Sequence, residues 1–388
     1  MKLKTLYILQ FIVTGVSAGV NALIPFIAIS LSLTLSQSGL MGSIIMGGRI
    51  VMAIPTIFIS RKLPNKYLIF CSALIMAIGL ALLGLSSTYV FILVVVAGVS
   101  IGAGLFQPLA KTEIAKVALK GKKGKIISNY SIAAQIGKLV FSSAIGFVVI
   151  YAGWRNSAVI VGTVLSLLIC VLIFREWKKR SEIVAESKTN AIKFKANAGI
   201  VFSILASMLD SIASSAVIIY LPFLLLSKNL NIIYVPIANG VIIVGAILGK
   251  FVLGRLTDKK PESLVFVVSE IFMAVLTIVI CFNLDIYLVL LVVLLLGFVS
   301  KGTSPLTQIM VGNSVKHDDH LKTAFSLDSF FANVGDLLGV LLFGLIGDMY
   351  GVQAIFIGFS IAALVAALPG VMYLVNSRKE VSLTLSRS

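Results

Sequence analysis

Of 388 residues, 59% are hydrophobic and only 12% charged, whereas soluble domains carry about twice that charge. The composition excludes a water-soluble enzyme or binding module. A formal net charge of +17 would suit a nucleic-acid partner, but the basic residues form no single patch. They fall in short gaps between apolar runs, as in the cytoplasmic loops of a membrane protein.

Twelve apolar stretches approach the roughly 20 residues that span a bilayer as a helix. In chain order they are 6–31, 38–60, 67–86, 89–114, 126–151, 155–175, 197–226, 233–256, 264–282, 286–311, 323–347 and 353–376. No window alternates like a barrel strand, and helices satisfy their own backbone in lipid. The first run continues to Leu31, beyond the short core of a signal peptide, and reads as a spanning helix. Cys71, Cys170 and Cys281 lie inside apolar runs without metal-type spacing and read as small buried residues.

Basic residues fix the orientation. An N-terminus in the cytoplasm puts only Arg155 and Lys228 in outer loops. Arg49, Lys111, Lys138, Lys250 and Lys301 fall within spans, and the other basic residues are cytoplasmic. Both termini are then expected in the cytoplasm, in a multi-pass protein of the cytoplasmic (inner) membrane. The longest polar loop, from Arg175 to Asn197, separates six helices from six. The expected divisions are a bundle at 1–175, a cytoplasmic linker at 176–196, a bundle at 197–376 and a tail at 377–388. An offset of 198 pairs Ala134 with Ala332, Gly137 with Gly335, Leu139 with Leu337, Gly146 with Gly344 and Gly153 with Gly351. An offset of 197 pairs Pro108 with Pro305. These matches indicate parallel repeats.

Gly254-Arg255-Leu256-Thr257-Asp258-Lys259, after the eighth stretch, resembles the loop signature of the major facilitator superfamily. Its first-half counterpart, Thr56 to Arg61, lacks the glycine and the acid. Gly137-Lys138, Gly146 and Gly153-Trp154-Arg155 resemble the fifth helix and following turn of that family. Gly335-Asp336, Gly339, Gly344, Gly347-Asp348 and Gly351 echo them. The resemblance implies an all-α membrane fold of twelve helices in two pseudo-symmetric six-helix bundles. It also implies helices 1, 4, 7 and 10 around a central cavity, with transport by alternating access.

Polar stripes recur at helical spacing on those four helices. They are Gln10, Thr14, Ser17 and Asn21; Ser100, Gly104, Gln107 and Lys111; Ser203, Ser207, Asp210 and Ser214; and Lys301, Ser304 and Gln308. Small residues also serve close helix packing, the plain reading of Gly15/Gly19 and Gly98/Gly102. An ionised residue at mid-bilayer costs about 3 kcal/mol or more and calls for a partner or a function. Asp210 and Lys301, each halfway along its stretch, are expected to pair, with Asp210 as proton carrier or as half of a fixed ion pair. Lys138 and Asp336 follow the aligned glycines. The resemblance brings Arg49 near Asp336, as a gating or a permanent bridge. Asp258 belongs to the loop signature. Lys111, Lys250, Glu270 and Asp328 lie near the inner face and read as interfacial. His317 and His320 with Asp318 and Asp319 read as a solvated loop, and Lys120 to Lys125 as a topology signal.

No cofactor, metal or nucleic acid is expected, and no nucleophile–base pair suggests an enzyme. The reading is a monomeric secondary transporter of a small organic solute, an organic anion or zwitterion favoured, coupled to H+. A drug or metabolite efflux carrier is the alternative. Another class is a non-transporting sensor or assembly factor with a transporter fold.

Overall fold

A computed structural model describes residues 3–119, 123–177, 197–315 and 321–385. The histidine loop and most of the linker lie outside the described residues, as do the side chains of Lys120 to Lys125. Every regular element among the described residues is a helix. In chain order these are α1 (Leu3–Leu31), α2 (Leu35–Val51), α3 (Ala53–Lys62), α4 (Asn65–Gly84), α5 (Tyr89–Leu119), α6 (Lys123–Trp177) and α7 (Ala198–Ser215). They continue with α8 (Val217–Ser227), α9 (Tyr234–Leu256), α10 (Glu262–Val279), α11 (Ile286–Ser300), α12 (Ser304–Ser314), α13 (Leu321–Tyr350) and α14 (Val352–Leu385).

Three pairs of these helices make one crossing each: α2 with α3, broken at Met52; α7 with α8, broken at Ala216; and α11 with α12, broken at Lys301–Thr303. Conversely, α6 supplies two crossings. At about 1.5 Å per residue its 55 residues are far longer than a bilayer is thick, and it bends at Gly153 (φ 76°, ψ 158°). Twelve crossings result. Helix starts carry local signals. Thr34 forms a capping box with Gln37, Asn197 caps α7 and Asp285 caps α11.

The chain forms two compact units, Met1–Lys188 with Asn231–Gly240, and Thr189–Leu230 with Val241–Ser388. In the first, α1 packs along α6, α2 along α5, and α4 against α5 and α6. In the second, α7 packs against α13, α14 and α12, and α10 against α14. At the end of the first unit where the chain begins, Thr5 donates to the Glu176 carboxylate (3.0 Å), and Lys66 Nζ to the Glu176 carbonyl.

The 198-residue offset reappears in the packing. A Cβ on Gly137 would strike the Phe11 carbonyl of α1, and one on Gly335 the Met208 carbonyl of α7. Among the described residues the two glycines with positive φ are Gly153 and its repeat mate Gly351 (φ 85°). Gly153 has open space where a Cβ would stand, so only its backbone demands glycine. That corner of conformational space costs other residues about 1–3 kcal/mol. Gly153→Ala is therefore expected to lower the melting temperature in detergent while leaving the purified protein monodisperse.

Two packing expectations are corrected. Gly15 and Gly19 press on Phe141 and Ile145, and Gly102 on α4, but Gly98 faces open space. Cys71 is exposed rather than buried, and Cys170 and Cys281 are half-buried. An apolar run gives a residue's depth along a span but not the side of the helix it occupies, and lipid accepts a thiol as readily as protein does.

Candidate functional site

The second unit gathers charge around the break in its tenth crossing. Pro305 lacks an N–H and has a fixed φ, so it starts α12 readily but cannot continue α11. Lys301, Gly302 and Thr303 are left between the two helices. On α7, the stripe Ser203, Ser207, Asp210 and Ser214 is buried throughout, with Asp210 at 6% exposure. Thr303 Oγ1 donates to Asp210 Oδ2 at 3.0 Å. Lys301 Nζ donates to Ser214 Oγ at 3.2 Å and lies 3.9 Å from Asp336 Oδ1 on α13. Ser215 Oγ donates to the Asp336 backbone carbonyl, which ties α13 to α7 (3.2 Å).

Asp210 and Lys301 thus belong to one cluster and are within electrostatic reach of each other. The ion pair that Lys301 makes in contact is with Asp336. That pair is partly open: 32% of the Lys301 side chain is exposed. The break explains the difference, because Lys301 is a helix cap rather than a mid-helix residue and its side chain leaves at another angle. Ser304 is half-buried and Gln308 exposed, both on α12 beyond the break.

Three residues depart from their interfacial reading. Glu270 of α10 is wholly buried and its carboxyl meets that of Asp210. Asp328 of α13 is buried and accepts a hydrogen bond from Ser207. Lys250 of α9 is half-buried and within electrostatic reach of Lys301. Distance from the inner face does not decide burial; the direction a residue faces around the helix does. A signal for Glu270 was available: Ser263, Glu270 and Thr277 recur every seven residues, on the face α10 buries.

In the first unit, Gln10 is buried with its Oε1 lacking a donor among the described residues, and the carbonyl of half-buried Asn21 lacks one too. Gln107 and Lys138 are half-buried. Arg49 is half-buried beside exposed Lys111, within electrostatic reach of it. A Cβ on Gly48 would strike Ser100, and one on Gly249 the Phe298 carbonyl; Ser100 and Phe298 are repeat mates. A cation follows each glycine, Arg49 in one unit and Lys250 in the other.

Two placements of the family model for the Major Facilitator Superfamily, over residues 6–259 and 203–387, together cover almost the whole chain. The chain belongs to the major facilitator superfamily. Among solved major facilitators, it is similar to a bacterial homolog of the human lysosomal transporter Spinster, in an inward-facing and occupied conformation. The TM-score is 0.80 at 15% identity, covering 97% of this chain and 96% of that one. It is also similar to the nucleoside transporter NupG, with TM-score 0.76 at 15% identity over 96% and 99% of the two chains. At such identities the likeness establishes the fold. The superfamily's loop signature falls at the end of α9. There Arg255 lies over the Phe251 ring (3.7 Å to its centre), Thr257 Oγ1 donates to the Gly254 carbonyl (2.7 Å), and Asp258 is exposed in the turn. The family and fold are those of multi-pass membrane transporters.

Proposed function

We propose that this major facilitator is a monomeric secondary active transporter of the cytoplasmic membrane, with both termini inside. By alternating access it moves a small organic anion or zwitterion in exchange for, or together with, protons. The observation that carries the reading is the acid–base cluster of Asp210, Thr303, Lys301 and Asp336 at a broken helix inside an apolar bundle. Buried intramembrane charge is costly unless paired or used, and the broken helix leaves backbone groups and a partly open lysine available to a solute carboxylate. In this reading Asp210 carries the proton. Ser207, Ser304, Gln308, Gln10, Asn21 and Gln107 supply hydrogen bonds to the solute. Arg49, Lys138, Asp336 and Asp258 belong to the gating machinery.

The test is uptake of radiolabelled dicarboxylates, amino acids and nucleosides by proteoliposomes, with and without an imposed pH gradient. Nucleosides are included because NupG is a nucleoside transporter. At least one carboxylate-bearing solute is expected to accumulate only under the gradient, and a protonophore should abolish the effect. Accumulation indifferent to the protonophore would overturn the proton coupling. Uptake confined to nucleosides would overturn the anion or zwitterion assignment.

A further inference from the structure

Glu270 gives the cluster a second buried acid. No described donor reaches Asp210 Oδ1 or either Glu270 oxygen, yet the two carboxyl groups are hydrogen-bonding neighbours. Ionised carboxylates are acceptors only, so this contact is a hydrogen bond only when one of the two carries a proton. Like charges in contact away from water cannot both persist.

The surrounding charges point the same way. Thr303 occupies the other oxygen of Asp210, and Lys301 attracts Asp210 while contacting Asp336. Lys250 of α9 is within electrostatic reach of Lys301, not of the two carboxyl groups. Asp210 and Glu270 bring two like charges into contact, and Lys301 is the cation shown to reach Asp210. One proton held by the pair removes one of two buried like charges, and its loss restores their repulsion away from water. Among the described residues of the elements packed on α7, other titratable groups include Asp328 of α13, held by Ser207, Asp348 of α13, within electrostatic reach of Tyr220 of α8, which donates to the Val340 carbonyl (2.8 Å), and Tyr373 of α14, bonded to the Met310 carbonyl (3.1 Å) and facing Glu262 of α10 (3.4 Å).

We propose that Asp210 and Glu270 form one proton-binding site, holding a single proton between their carboxyl groups, and that this shared proton is the one exchanged during transport. The step is a proton transfer with simple balance. The pair gains one proton from water on one side of the membrane and returns it to water on the other, moving between one net negative charge and two. Unloading is favoured when a cation approaches, and Lys301, within electrostatic reach of Asp210, is the cation placed to do so.

The inference rests on the proton-coupled reading, and two measurements separate them. Infrared spectra of the purified protein at neutral pH, in H2O and D2O, read protonated carboxyl groups directly. The wild type should show a deuterium-sensitive acid band. Glu270→Gln should remove it, because Asp210 then has an amide donor, Thr303 and Lys301. Asp210→Asn should shift it, because Glu270 loses its carboxyl partner. Lack of an acid band in the wild type, or a band untouched by both substitutions, would overturn the shared proton whatever the variants do to folding. In proteoliposomes loaded with the radiolabelled dicarboxylate, amino acid or nucleoside panel, Glu270→Gln should reduce gradient-driven accumulation about tenfold or more, the span of typical coupling between two ligands. If wild type and Glu270→Gln accumulate equally under the gradient, the pair is not the carrier and the coupled reading stands. If the wild type ignores the gradient, the coupled reading and the carrier role both fail, even with the acid band present.

Discussion

Asp210→Asn is expected to abolish gradient-driven accumulation while sparing solute exchange. Asparagine matches the shape of a protonated aspartate and still accepts the Thr303 hydrogen bond, so the bundle should assemble normally. What it cannot do is release a proton. Linkage makes the solute and proton sites influence each other by a coupling free energy, commonly about 1–3 kcal/mol or 5–150-fold in affinity. With a permanently neutral group that coupling vanishes, and accumulation against a gradient should drop by about the same factor. Exchange of internal for external solute requires no net proton movement and should persist. Proteoliposome accumulation and counterflow, measured side by side, check the result. Equal loss of both would mean that Asp210 acts in solute binding or in assembly rather than in coupling.

Gly335→Val and Gly137→Val should be among the most damaging single substitutions for folding. Each places branched carbon where the neighbouring helix presents a backbone carbonyl, Met208 in one repeat and Phe11 in the other. A side chain can swing aside, but a helical carbonyl moves only with its helix. Overpacking typically costs about 1–3 kcal/mol, and these sites fall at the upper end or beyond because backbone must shift. In lipid the loss is aggravated, since close approach of small residues is a main source of helix association. Folded yield and melting temperature in detergent provide the measure. Gly98→Ala, with open space for its methyl group, should instead be neutral or gain up to about 1 kcal/mol from better helix propensity.

The twofold repeat, the number of crossings and the family were legible because each rests on a periodic signal. Twenty-residue apolar runs, basic loops on one side and glycines in register survive as patterns in the chain. The polar face of the seventh helix was legible for the same reason: four residues at helical spacing had to share a side, and all four are buried. The charge cluster was only half legible. Asp210 and Lys301 stand out by their depth, but the apolar run 286–311 reads as one helix through Lys301, and hydropathy does not mark Pro305, four positions beyond it, as a helix start. That misplacement hid the pairing with Asp336. Glu270 is hidden for a different reason. It sits two turns from a basic loop, where a long side chain could reach water, and only its direction around the α10 axis makes it a core residue. Pairings between helices distant in sequence depend on rotation about each axis, and one chain read alone does not encode that angle in any single residue.

The bend at Gly153 has a consequence for how the protein is made. A straight rod of the length of α6 would measure about 80 Å, more than twice the hydrocarbon thickness of a membrane. One residue therefore separates a polypeptide that enters the bilayer twice from one that would protrude far into the water. With its mate Gly351 at the corresponding point of the other half, the nascent chain reaches each of these corners with two apolar segments and almost no intervening polar chain. Two such segments joined by almost no polar chain leave little room for a loop between them at the membrane surface. Substitutions at either corner should therefore be felt first by the translocation machinery, as lowered yield during synthesis, before any change in turnover is seen.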